Sequence, residues 1–368
     1  MTAVKALALI AVFLLSPLSA HGASDPQSVL DDYRKSHDIP GISAVVVRDD
    51  NVVFSGATGF ADLKSATPMS ADSVIYIGSV SKVLTAVLVL QLVEGGKLSL
   101  DNPAGGLGRA VDDPPITVAH LLSHASGLRR EGNFGYWFTA DFPDGNSLQS
   151  YLERTTLRSS PGASLHYSNI GYAALGQIVE QVTEQSYGEA LNDRVLKRLR
   201  MTASGGRGPA ANPAMGYTPI NRVLPSKARP FAGVGERVGQ RHERSYHDAR
   251  AMSPAFGAYS TANDMGKLAS FLLGQTDSKV LSRAGRAQLY EPQASGRGLG
   301  LRPSRLNGRS VARHDGWFAA HRTHLMLDTE NSVGVVVLAN GDNASPGDIA
   351  EALLEEVLRT DVATGRND

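Results

Sequence analysis

The sequence predicts a mixed α/β (α+β) fold: an antiparallel sheet built from both chain ends, flanked by helices, with a mostly helical segment inserted between them. Three observations predict it. Strand-like runs gather near the two ends, over 42–54 and 310–338. The chain between them carries short helical patterns and Gly/Pro-rich loops with little strand signal. One run near the first strands, Val83–Val93, is apolar nearly all round at helical length, which marks a helix buried on every side. Strands at both ends with helices between make one sheet out of the two termini.

The elements follow in order. Met1–Lys5, the ten-residue apolar run Ala6–Leu15 and the small residues Ser19-Ala20-His21-Gly22-Ala23 have the layout of a secretory signal peptide, with cleavage after Ala20 or Gly22. The reading is a signal over 1–22 and an exported, periplasmic or secreted, mature chain. No later run reaches about 18 apolar residues, so no stable membrane insertion is expected after cleavage. Asp25-Pro26 caps a helix with Val29, Leu30 and Tyr33 on one face. Ile42–Val47, the turn Asp49-Asp50-Asn51 and Val52–Phe54 read as a hairpin. Gly95-Gly96 ends the buried helix.

From Lys97 to about Met252 the helical patterns are Val118–Leu122, Leu148–Leu152, Tyr172–Val182 and Tyr187–Leu199. Arg222–Arg250, with seven basic and three acidic residues among Gly and Pro, reads as an exposed loop. Ala262–Leu273 and Leu281–Tyr290 read as helices. Ser310–Arg313, His324–Leu327 and Val333–Leu338 read as strands, and Ile349–Leu358 as a closing amphipathic helix. The expected division is an α/β part over about 25–96 and 255–362, with the helical insertion over about 97–254.

Composition narrows the function. The 368 residues are 42% apolar and 20% charged, the profile of a globular chain. Thirty-six basic against 36 acidic residues leave no net charge, which argues against nucleic acid and polybasic membrane contacts. Cysteine is absent, which removes disulfides, zinc–thiolate sites, Fe–S clusters and a thiol nucleophile. Gly95-Gly96 and Gly105-Gly106 lack the Lys-Ser/Thr of a phosphate loop, so no nucleotide cofactor is indicated. His321 and His324 look like a metal pair, but strand residues three apart face opposite sides, and no metal site is expected.

With cysteine excluded, the nucleophile is a Ser, Thr, Lys, Asp or Glu. The Gly-x-Ser-x-Gly elbow is missing. Ser79 and Lys82 instead stand three apart at the start of the buried helix, one turn apart on one face. A first-turn lysine with the apolar run Val83–Val93 behind it has limited access to water. Such a lysine is pushed toward its neutral form and can take the serine proton. Two further segments stand out: Tyr167-Ser168-Asn169, at a turn leading into a helix, and His314-Asp315-Gly316-Trp317, after a strand-like run. His124 and Ser126 read as capping residues of a helix-to-loop turn, and Tyr172 as core or pocket lining.

In these residues the sequence resembles the serine β-lactamase-like hydrolases: class C β-lactamases, low-molecular-weight D,D-peptidases, D-aminopeptidases and β-lactamase-like esterases. The family's Ser-x-x-Lys, Tyr-x-Asn and Lys/His-x-Gly motifs stand in order as Ser79–Lys82, Tyr167–Asn169 and His314–Gly316. The blocks Leu121–Leu128, Gly257–Met265 and Gly298–Leu301 are similar too. The resemblance covers nearly all of the mature chain and implies the β-lactamase/transpeptidase-like fold. It also implies roles. Ser79 is the acylated nucleophile, and Lys82 and Tyr167 share its proton. Asn169 braces Lys82 and bonds the substrate, and Gly316 lets the strand edge approach it. The backbone N–H groups of Ser79 and Trp317 form the oxyanion hole. No cofactor is implied.

The departures bear on substrate. His314 replaces the lysine common in penicillin-recognising members, and a neutral imidazole suits a substrate carboxylate less. Asp315 would repel one if it faced inward, or would pair with His314 and keep it charged. Trp317 narrows the pocket or gives it an apolar wall. The expected activity is acyl-enzyme hydrolysis of small-molecule or peptide substrates: esters, amides or D-amino-acid peptides. The alternatives are a D,D-peptidase or β-lactamase on peptidoglycan-type substrates, or a non-catalytic muropeptide or penicillin sensor.

Overall fold

A computed structural model of the chain describes residues 25–104, 115–133, 135–222, 234–244, 246–274 and 279–364. The segment read as a signal peptide lies outside the described residues. In chain order the strands are β1 Gly41–Arg48, β2 Asn51–Asp62, β3 Thr67–Pro68, β4 Ile75–Tyr76, β5 Gly216–Pro219, β6 Val234–Val238, β7 Arg241–Arg244, β8 Tyr259–Ser260, β9 Arg302–Leu306, β10 Arg309–Phe318, β11 His321–Asp328 and β12 Val333–Ala339. The helices are α1 Pro26–Ser36, α2 Ser81–Glu94, α3 Val118–Leu122, α4 Tyr136–Thr139, α5 Gly145–Arg154, α6 Asn169–Thr183, α7 Tyr187–Leu191, α8 Ser253–Phe256, α9 Ala262–Leu273, α10 Arg283–Gln288 and α11 Pro346–Thr364.

Seven strands form one antiparallel sheet in the order β3-β2-β1-β12-β11-β10-β9. Its centre joins the two chain ends, with Ile42 opposite Ala339 and Arg48 opposite Val333. The central strands alternate between two cores. Val45, Val47, Leu325, Leu327, Val336 and Leu338 belong to the large core with α2 and α9. Ile42, Ala44, Val46, Met326, Val335 and Val337 pack with Leu30 of α1 and with Ile349, Leu353 and Leu354 of α11. A sheet buried on both faces needs apolar residues at every position, which is why these strands read as continuous β-branched runs. The mixed α/β fold with an antiparallel sheet is thus the observed one.

Helix α2 is buried from Ser81 through Leu90. Helices α6, α7, α8 and α10 pack against it, so the middle of the chain contributes to the surroundings of the helix that carries Lys82.

The middle segment departs from its expected texture. A small sheet in the order β5-β7-β6 crosses the region read as an exposed loop. Its charged residues are used internally. Lys64 bonds Glu236 at 2.6 Å and Glu243 at 3.0 Å, and the buried Arg241 bonds the Asp38 carboxylate at 2.6 Å. Periodicity finds apolar alternation, and strands that pair through charges carry none. Strand β9, Arg302-Pro303-Ser304-Arg305-Leu306, escaped for the same reason. The helical pattern over 187–199 ends earlier as an α-helix and continues as a wider turn over Asn192–Leu196.

Candidate active site

Ser79 sits in a tight turn, Gly78–Val80, that leads directly into α2. The turn crosses β10 with no room for side chains. Gly78 has φ +52°, and a Cβ there would lie 2.3 Å from the Trp317 backbone nitrogen. A Cβ on Gly316 would lie 2.1 Å from the Ile77 carbonyl oxygen. Thr323 Oγ1 fixes the crossing by donating to that same oxygen at 2.8 Å. The two glycines therefore set how closely the Ser79 turn approaches the strand edge. Ser81, the other serine of the motif, is used structurally. Its hydroxyl donates to Gly78 O at 2.6 Å and accepts from the Ala258 N–H at 3.0 Å.

Lys82 is fully buried. Its Nζ lies 2.8 Å from Asn169 Oδ1, 2.7 Å from the Ala255 carbonyl oxygen and 3.2 Å from Ser79 Oγ. Burial holds the amine well below the usual lysine range, with the Glu131 carboxylate opposing and Arg130 adding to that shift. A neutral amine has two N–H bonds and one lone pair. The two carbonyl acceptors take both N–H bonds, and the lone pair is left toward Ser79 Oγ.

Tyr167 reaches the same point from the middle segment. Its phenol lies beside Ser79, and burial pushes it up to about 12 against the lowering influence of Ser79, Arg130 and Arg297. The Lys82 nitrogen lies 4.8 Å from the Tyr167 ring centre. His124, expected as a cap, braces this segment. Its Nδ1 accepts from the Ser168 N–H at 3.1 Å, and its ring lies 4.3 Å from the Tyr167 ring. Ser168 caps α6 by accepting from the Gly171 N–H, which puts Asn169 in the first turn beside Lys82. Tyr172 is core: its hydroxyl donates to Leu122 O at 2.8 Å.

The third motif lies on β10. His314 is buried, and its Nδ1 bonds the Asp315 carbonyl oxygen at 2.8 Å. A carbonyl only accepts, so Nδ1 carries the proton and Nε2 is an acceptor. Burial, then Lys82, pull His314 down to about 3, so the imidazole is neutral at pH 7. Asp315 does not form an ion pair with it. Its carboxylate accepts from His324 Nδ1 at 2.7 Å, which holds it down at about 2, with Arg302 at 3.6 Å. His321 Nε2 bonds the Ala214 carbonyl instead, so the two histidines serve different partners. Among the described residues no group of His, Asp and Glu is arranged to hold a metal. Trp317 stacks on Trp137 at 5.7 Å, and its Nε1 donates to Asp342 at 2.7 Å.

The structure thus brings Ser79, Lys82, Tyr167 and Asn169 together, with the backbone at Gly316 and Trp317 against the Ser79 turn. Two charged residues went unnoticed in the sequence. Glu131 lies next to Asn169, and Arg297 lies close enough to act electrostatically on Tyr167, His124 and His314. Glu131 lies just after the block Leu121–Leu128 and Arg297 just before Gly298–Leu301, and neither carries a pattern of its own. A cavity of about 650 Å³ lies beside α5, lined by Tyr136, Leu148, Tyr151, Ile170 and Arg250, and none of the three motifs' reactive side chains lines it.

A family model described as Beta-lactamase matches residues 27–359. Penicillin-binding protein 4 of Amycolatopsis lactamdurans is 32% identical over 56% of this chain and 59% of its own length. Esterase EstB of Burkholderia gladioli is 27% identical over 65% of this chain and 67% of its own. Among solved structures, the D-amino acid amidase of Ochrobactrum anthropi superposes with a TM-score of 0.78 at 20% identity, over 91% of this chain and 98% of that one. That likeness concerns the fold. The match to the family model runs across all three motifs and both ends of the central sheet, and the chain belongs to the β-lactamase family.

Proposed function

We propose that this protein is an exported serine hydrolase that works through an acyl-enzyme on esters, amides or D-amino-acid peptides. The observation that carries the reading is the Lys82 amine, dry, held on two carbonyl oxygens and 3.2 Å from Ser79 Oγ. Ser79 Oγ attacks the substrate carbonyl carbon as its proton passes to Lys82. The developing oxyanion lies against the N–H groups of Ser79 and Trp317, where such donors contribute about 3 kcal/mol each. Tyr167 relays the proton to the leaving group as the carbonyl–leaving-group bond breaks. A water then attacks the Ser79 ester, losing its proton to the same pair, and Ser79 leaves with a proton restored. Asn169 orients Lys82, and His314 presents a neutral acceptor to the substrate.

The esterase and the amidase among the similar proteins support this substrate class. A second reading, a D,D-peptidase or β-lactamase, is favoured by Arg297, a cation near Tyr167 and His314 that a substrate carboxylate could use. The N-terminal segment supports export, and among the described residues no helix is long and apolar enough to cross a membrane. Intact mass after a fluorophosphonate and, separately, after a penicillin tests the reading. A single adduct on Ser79 with the first is expected, and no adduct, or one on another residue, overturns it. A stable penicillin adduct without ester turnover would favour a sensor.

A further inference from the structure

An asparagine amide can face a neighbour with either end. Asn169 presents Oδ1 to Lys82 at 2.8 Å, and its Nδ2 donates to Glu131 Oε1 at 2.5 Å. Glu131 has a side chain only 7% exposed, and its other oxygen accepts from the Tyr136 hydroxyl. Arg130 Nε lies 3.6 Å from Oε1. A carboxylate only accepts, so it selects the NH₂ end of Asn169 and turns the oxygen to Lys82. The opposite orientation would put NH₂ against the amine and compete with Ser79 for its lone pair.

We propose that Glu131 is a positioning residue of this site: its carboxylate holds the Asn169 amide so that the Lys82 lone pair points at Ser79 Oγ. The assignment rests on the reading of Ser79 and Lys82 as the reacting pair. Tyr136 ties the far side of Glu131 to α4, whose Trp137 stacks on Trp317. The carboxylate therefore joins the catalytic amine to the aromatic wall beside the third motif.

Glu131 also acts through charge. The groups around Lys82 are Tyr167, Tyr172 and Arg130 from the middle segment, His124 behind Tyr167, and His314 from β10. Burial keeps both histidines neutral, and Arg130 acts against protonation of Lys82. Glu131 is the anion that supports the ammonium form. Replacing it with glutamine keeps an oxygen for Asn169 and removes the charge; replacing it with alanine removes both.

The test is kcat and KM for a p-nitrophenyl ester across about pH 5–9. Glu131→Gln should retain most of kcat and move the acid limb of kcat/KM to lower pH, because protonated Lys82 loses its anion. Glu131→Ala should lose roughly ten- to a hundredfold in kcat with KM little changed. A Glu131→Ala enzyme with normal kcat, or with raised KM alone, overturns the proposal. Should Glu131→Ala fail to fold, an unmoved acid limb in Glu131→Gln overturns it. Ser79→Ala run alongside separates the two claims: activity surviving there defeats the serine-hydrolase reading itself.

Discussion

The Ser79 turn and the Tyr167–Asn169 segment meet at Lys82, and they are held by different kinds of contact. The turn is packed backbone against backbone, with Gly78 on Trp317 and Gly316 on Ile77, and the Thr323 and Ser81 hydroxyls lock that contact. The segment is tied by hydrogen bonds to side chains, from the Ser168 N–H to His124, from Lys82 to Asn169 and from Asn169 to Glu131. Steric contact admits one residue type and fails abruptly. A hydrogen-bond network can be weakened by degrees, and it carries charge that adjusts proton affinity. Under the proposed mechanism, the Ser79 side of the site is therefore set by close packing, and the Tyr167–Asn169 side is tunable through its charges.

The largest effect should fall on the reacting groups. Ser79→Ala should remove at least about 10⁴-fold of ester kcat with an unchanged melting temperature. Ser81→Ala should instead cost about 1–3 kcal/mol of stability, since it orphans the Ala258 N–H. A denaturant titration beside the kinetics separates the two serines, and a stable, active Ser79→Ala would defeat the assignment. Lys82→Ala and Tyr167→Phe should each lose roughly 10²–10⁴-fold in kcat. Their double mutant should lose far less than the product, because the two act as one relay. Full additivity would mean independent roles.

Gly316→Ala tests the steric half. It should lose about 1–3 kcal/mol and most activity together, because the turn must move off the strand. A variant that keeps both would show that the crossing tolerates a side chain. A smaller effect is expected at Arg297. Arg297→Gln should lower kcat/KM for a carboxylate-bearing substrate such as nitrocefin by roughly fivefold relative to a neutral acetyl ester, about 1 kcal/mol. Equal losses on both substrates would remove Arg297 from carboxylate recognition.

A further effect concerns pH and stability rather than turnover. His314 has its pKa depressed from 6.5 to about 3 in the fold. Between these values the unfolded chain binds a proton that the folded one refuses, so stability falls as pH drops through that window. His314→Asn should flatten this part of the curve, measured as melting temperature against pH. An unchanged slope would place the acid sensitivity elsewhere.

How much of this was legible depends on how each feature writes itself into a sequence. The central strands did so fully, because burial on both faces demands runs such as Ala44-Val45-Val46-Val47. Helix α2 did so through its unbroken apolar face, and the Gly78–Lys82 turn through its motif. Strands β6, β7 and β9 did not, because Arg241, Glu243 and Arg305 sit where alternation would be sought. The neutral state of His314 was legible from its residue type, but the partner of Asp315 was not. That partner, His324, faces it from the neighbouring strand, and pairing register is a tertiary fact. Glu131 escaped because a single acid in a Gly-rich loop carries no pattern; only the fold places it beside Asn169.

The pairing of β1 with β12 has a consequence in time. Ile42 pairs early with Thr58 of β2, but its partner on the other side, Ala339, is made nearly three hundred residues later. Contacts of such separation close large loops and slow folding. No N-terminal fragment ending before Val333 can complete the sheet against which the Ser79 turn is held. A nascent chain thus cannot hold Ser79, Lys82 and Gly316 in their folded arrangement until β12 is available.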